Sequence, residues 1–76
     1  MPRKTMVLTE AHPTRPGFIS HYYATIDVMI PSGHRDWSWV QVDVNGTVFG
    51  TAKNGFPTEE DAFDDAFATL KGVDWL

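Results

Sequence analysis

His12, His21 and His34 are the first side chains to weigh for acid–base or metal chemistry. They are scattered, with no i,i+4 partner, and the chain has no cysteine, so neither a zinc site nor a thiol nucleophile is expected. His21 and Asp36 could meet across a first hairpin as a base and its orienting acid, but no serine sits in a Gly-x-Ser-x-Gly setting to be activated. Gly46, Gly50, Gly55 and Gly72 serve turns or strand packing, and none opens a helix after a strand as a phosphate loop requires. The residues thus predict no catalysis, no metal and no cofactor.

Two other groups carry more. Glu59, Glu60, Asp61, Asp64 and Asp65 fall within seven residues. Acids in the first turn of a helix are stabilised by its macrodipole, which accounts for Glu59 to Asp61. Asp64 and Asp65 instead form like-charge i,i+4 pairs with Glu60 and Asp61, each costing roughly 0.2–0.5 kcal/mol. Ala68 and Thr69 stand where a basic residue would relieve them. Either this is a solvated face, or it is a docking surface for a basic partner. The second group is aromatic: Trp37, Trp39, Phe49 and Tyr23. If they share the sheet face away from the helix, they are either covered by the chain's ends or form an exposed patch for a partner or a second copy. Base stacking by these rings is disfavoured, because their neighbours Asp36, Ser38, Gln41 and Asp43 leave Arg35 as the one nearby cation.

These groups must be held by strands and one helix. Residues 1–17 read as an irregular N-terminal segment: 1–4 a mobile terminus, Thr5–Thr9 a short edge strand, 10–17 an extended loop broken by His12-Pro13 and Arg15-Pro16-Gly17. From Ile19 to Ile30 the pattern has period two, with Tyr22, Ala24, Ile26 and Val28 opposed to His21, Tyr23, Thr25 and Asp27. Pro31-Ser32-Gly33 predicts a turn. Trp37–Val44 alternates again, then Asn45-Gly46 predicts a hairpin returning through Thr47–Ala52. A two-residue loop would pair Val44 with Thr47; a three-residue loop with a bulge at Gly46 would pair Asp43 with Thr47. The second is preferred, because it gathers Val40, Val42, Val48 and Gly50 on a small aliphatic face suited to a helix, and leaves Trp39, Phe49 and Thr51 on the other. Thr58 predicts the N-cap of a helix over 58–71, with Ala62, Phe63, Ala66, Phe67 and Leu70 as its apolar stripe and Gly72 as its left-handed terminator. Val73, Trp75 and Leu76 should pack back on the domain.

The expected fold is therefore a single α+β domain over 1–76: a three- to four-stranded antiparallel sheet packed on one C-terminal helix (βββα). With 76 residues, 42% of them apolar, the chain is a small globular domain. No apolar run is long enough to span a membrane or serve as a signal peptide, and the absence of cysteine suits the cytoplasm. The formal charge of −4 is unevenly placed. Residues 1–35 net +2 from Arg3, Lys4, Arg15 and Arg35 against Glu10 and Asp27. Residues 36–76 net −6, from Lys53 and Lys71 against eight acids. An acidic half of that kind argues against direct binding to nucleic-acid phosphate.

The junction Phe56-Pro57-Thr58-Glu59-Glu60-Asp61-Ala62 resembles that of HicB-type antitoxins, but the proline–glycine turn typical of that family is missing, so its function does not carry over. Double-stranded-RNA-binding domains share three strands before a helix, yet their helix begins with basic residues where this one begins Glu59-Glu60-Asp61. In size and acidity the chain resembles small phage-encoded inhibitors of the anti-CRISPR type, several of which present carboxylates in place of nucleic-acid phosphate. That resemblance implies a non-catalytic inhibitor whose Glu60, Asp61, Asp64 and Asp65 occupy a basic surface on a protein target, with Trp37, Trp39 and Phe49 as apolar anchors. The alternatives are a homodimer through an aromatic sheet face and an antitoxin-like, nucleic-acid-associated protein.

Overall fold

A computed structural model describes residues 2–11 and 13–76, and for Thr51 the backbone alone. The elements are β1 (Arg3–Ala11), β2 (Ile19–Met29), β3 (Trp37–Val42), β4 (Val48–Phe56), α1 (Glu59–Leu70) and β5 (Asp74–Trp75). All strand pairs are antiparallel, in the order β4-β3-β2-β1-β5. The α+β class and the single C-terminal helix are as expected; five strands replace the three or four.

The extra strands come from the ends of the chain. Residues 3–11 form one strand, not a mobile terminus, short strand and loop, because β1 lies between β2 and β5. Even the Pro2 carbonyl accepts from the Val28 N–H. Met1 and His12, which that expectation also covered, lie outside the described residues. At the other end Val73–Leu76 does pack back. Trp75 pairs with Met6, and its ring meets Phe63 edge-on at 5.7 Å and Phe67 at 5.3 Å.

The β3–β4 hairpin turns by the bulged route. The Asp43 N–H donates to the Thr47 carbonyl, Val42 pairs with Val48, and Gly46 takes φ +80°. The Asp43 carboxylate also accepts from the N–H groups of Asn45 and Thr47, which fixes the loop. Beyond it β4 slips twice against β3, between Val40 and Val42 and between Trp37 and Ser38. Gly50 (φ +71°) and Gly55 (φ +95°) absorb those slips in the left-handed region that glycine alone enters cheaply. This carries β4 on to Phe56, past the expected end at Ala52.

The helix covers the opposite face from the one expected. Met6 pairs with Ala24, and Val28 with Trp39, so these side chains share a face with Ile26. Together with Ala62, Phe63 and Ala66 from α1 they form the core. Val40 and Val42 point away. A uniform aliphatic surface does not decide the packing: the Trp39 indole carries the larger apolar side chain into the core, and Val42 is buried on the far face all the same, at 3% exposure. Thr58 caps α1 as anticipated, accepting from the Asp61 N–H at 3.1 Å. The left-handed terminator is Lys71 (φ 57°) instead of Gly72. Gly72 is needed for space: a Cβ there would lie 2.6 Å from the Phe67 ring.

Candidate protein-binding surfaces

The acidic helix divides into residues with and without structural partners. Asp65 is turned toward the sheet, where its carboxylate accepts from the Trp39 indole Nε1–H at 2.9 Å. The Lys53 ammonium stands 3.8 Å away, and the Thr69 hydroxyl donates to the same oxygen at 3.5 Å. Trp39 is fully buried, so its N–H needs an acceptor from within the fold, and Asp65 supplies it. Asp65 therefore holds the helix to the sheet. Glu60, Asp61 and Asp64 remain exposed, and among the described residues none has a basic partner. The free acidic surface is thus three residues at the start and middle of α1.

The expected aromatic cluster does not assemble. Trp39 belongs to the core and Trp37 is half-buried against it, both on the helix side of the sheet. Tyr23 lies on the other face, paired with Val7, and Phe49 sits half-exposed in the bulged part of β4. Of the three expected anchors, only Phe49 is at the surface. His21 and Asp36 do not meet either. Asp36 lies beyond the Met29 end of β2, and His21 is eight residues back along it, roughly 26 Å at strand rise. Among the described residues no cluster of His, Asp and Glu has metal-binding geometry, and no helix is long and apolar enough to cross a membrane.

Single apolar side chains such as Val44 and Leu76 are exposed, but a run of them lies elsewhere, along β2. A 12-residue helix is about 18 Å long, while the 11 residues of β2 extend about 36 Å. One helix can cover only half that length. It covers the half from Ala24 to Met29; toward the β1–β2 turn, Leu8–Ala11 and Phe18–Tyr23 run on as a two-stranded arm. The molecule measures 48 × 23 × 19 Å as a result. On this arm Phe18 is 61% exposed, Ile19 65%, Tyr22 48% and Tyr23 65%. Tyr22 projects on the helix side and Tyr23 and Ile19 on the other, so both faces of the ribbon are apolar. Glu10 and Arg15 are its only acidic or cationic side chains apart from histidine. Its tip is shaped by a turn in which the Phe18 N–H donates to the Arg15 carbonyl and Gly17 takes φ +87°. Sequence patterning missed the arm because the alternation of β2 continues unchanged through it; comparing helix length with strand length would have found it.

The face of the sheet away from α1 is centred on one ion pair. Arg3 donates from Nε and Nη2 to the two carboxylate oxygens of Asp27, at 2.6 and 2.9 Å. Those hydrogen bonds hold Asp27 below the usual carboxylate range, against its burial. Beside it the hydroxyls of Thr5 and Thr25 lie 3.0 Å apart. This part is a structural clasp between β1 and β2.

No protein family, curated protein or solved structure matches the chain.

Proposed function

We propose that this protein is a non-catalytic protein-binding module of the cytoplasm, and that its β1–β2 arm is the element a partner holds. The observation that carries this reading is the exposure of Phe18, Ile19, Tyr22 and Tyr23 on both faces of a ribbon that runs on past the end of the helix. A two-stranded ribbon has little stability of its own in water, so an arm of this kind gains order and buries its rings when it enters an apolar cleft. At the other end, Glu60, Asp61 and Asp64 supply a negative field that would steer the module toward a partner with a basic rim. An inhibitor that shields a basic, nucleic-acid-binding surface of its target combines both features.

Capture from the native cell with three baits tests this. Wild type and Phe18→Ser/Tyr23→Ser should differ by loss of the partner. Glu60→Lys/Asp61→Lys/Asp64→Lys should keep the partner but bind more slowly, with the deficit largest at low salt. Retention of the same partner by the arm variant would sink the reading.

A second reading rests on the outer edge of β1. β5 pairs only with Met6 and Val7, and its bonds to the Thr5 and Val7 carbonyls place the odd-numbered residues of β1 toward that edge, so among the described residues the N–H and C=O groups of Thr9 and Ala11 stand open there. A second copy could add there, and sedimentation at high concentration distinguishes a dimer from a monomer.

A further inference from the structure

Within the arm, the side of β2 that faces β3 elsewhere has no strand beside it. The Val28 N–H donates to the Pro2 carbonyl, so the even-numbered residues of β2 turn their N–H and C=O groups toward β1 and the odd-numbered ones toward β3. β3 reaches no further than Thr25. Among the described residues, the N–H and C=O groups of Ile19, His21 and Tyr23 therefore stand open along a rail free of bulges. The other edges are poorer. β5 is two residues long, and β4 is broken by its slips against β3. The β1 rail offers Thr9 and Ala11, and a copy that pairs with both brings Glu10 against Glu10 across a two-fold axis. Like charges so placed oppose pairing.

We propose that a second copy of this chain pairs with the arm along β2, antiparallel, with His21 on the two-fold axis. In that register Ile19, His21 and Tyr23 of the two copies satisfy one another with about six hydrogen bonds. On the face away from α1, Ile19 of each copy lies directly across from Tyr23 of the other, the aromatic–aliphatic pairing that stabilises sheets. The length fits: β2 begins at Ile19, so the added strand ends opposite Tyr23, short of Thr25, where β3 takes over. The charge fits as well. No acid, lysine or arginine lies between Phe18 and Ala24. Phe56 pairs with Trp37 at the end of the sheet far from the arm, and α1 starts there, so copies joined by their arms hold Glu60, Asp61 and Asp64 apart. The exposed parts of Phe18, Ile19, Tyr22 and Tyr23 amount to about 450–500 Å² per copy, at about 200 Å² for a whole side chain. Full cover of both copies stays below the ~1,200 Å² of a standard interface, so the pair is weak, with a Kd of about 10–500 µM.

Sedimentation equilibrium of the purified full chain between about 10 µM and 1 mM tests this, and should show monomer passing to dimer across that range. His21→Pro removes the central N–H, which faces outward and takes no part in pairing with β1, so the fold should hold while the chain stays monomeric. Thr9→Pro makes the matching change on the β1 rail and should leave the Kd within about two-fold of wild type. His21→Cys gives a second measure that needs no proline. The Cα atoms of a hydrogen-bonded pair stand about 5.5 Å apart, within disulfide reach, so mild oxidation should link two copies at least about ten-fold faster than it links Thr9→Cys. A wild type that stays monomeric to the top of the range overturns the proposal. So does a dimer that survives His21→Pro, or equal linking of the two cysteine variants. The inference rests on the same arm as the function proposed above, but it is measured on the chain alone, so a failed capture of a partner and a failed dimerisation are told apart.

Discussion

Replacing Asp65 by alanine removes the one acceptor that the described residues offer a fully buried indole N–H, and its cost can be worked from the contacts it makes. A hydrogen bond to a charged group contributes about 1.5–3 kcal/mol, and stranding the buried partner accounts for much of that. The Lys53 contact adds little, because at 3.8 Å both side chains are well exposed to solvent. The expected loss is about 2 kcal/mol, or about 8–16 °C in Tm for a domain of this size. Asp65→Asn keeps a side-chain oxygen for Trp39 and should lose less than half as much. Asp64→Ala supplies the contrast: it removes a like-charge neighbour of Glu60 and should leave stability within about 0.5 kcal/mol of wild type. Urea denaturation followed by tryptophan fluorescence measures all three on one scale. An Asp65→Ala midpoint indistinguishable from that of Asp64→Ala would refute the reasoning, since it would mean that the Trp39 N–H needs no acceptor there.

The Asp27 carboxyl titrates below its usual range in the folded chain, so as pH falls the unfolded chain takes up its proton first. The stability it contributes is complete above about pH 4, the ordinary carboxylate value, and is lost as pH drops through the lower folded value. Asp27→Asn should flatten that acid limb of a stability–pH curve. Gly72→Ala places a Cβ 2.6 Å from the Phe67 ring and 3.0 Å from Met6 Sδ, and should cost about 1–3 kcal/mol in urea melts. Ser38→Ala should raise stability by about 1 kcal/mol by deleting the unpartnered hydroxyl, as a shift of the thermal midpoint upward.

The features legible in the sequence are those set by near neighbours. The period-two pattern of β2, the Asp43–Thr47 turn and the Thr58 cap each depend on residues within a few positions of one another, and each is found as read. Longer-range choices were not legible. Which face of β3 meets the helix depends on contacts distant in sequence, the burial of Trp39 under α1 and its hydrogen bond to Asp65, 26 residues away, among them. That bond also turned an expected contact residue into a structural one. The full length of β1 beyond Thr5–Thr9 escaped because Lys4 and Glu10 flank its apolar residues, as suits a strand with exposed stretches, and Lys4 finds a use only in three dimensions, with its ammonium 4.6 Å from the centre of the Phe63 ring. The last residues of β4 were hidden by Gly55, which reads as a loop signal and acts as a bulge.

Those bulges bear on how copies of this chain would behave when concentrated. β4 is an outermost strand, and an incoming strand needs evenly spaced N–H and C=O groups to add to it. The slips at Gly50 and Gly55 break that spacing at two points within nine residues. The regular open rails are therefore those of the arm: the Leu8–Ala11 side of β1, past the end of β5, and the Ile19–Ala24 side of β2, past the end of β3. An arm open along both sides lets strand addition continue past a pair, so whatever covers the arm also guards the chain against extended self-association.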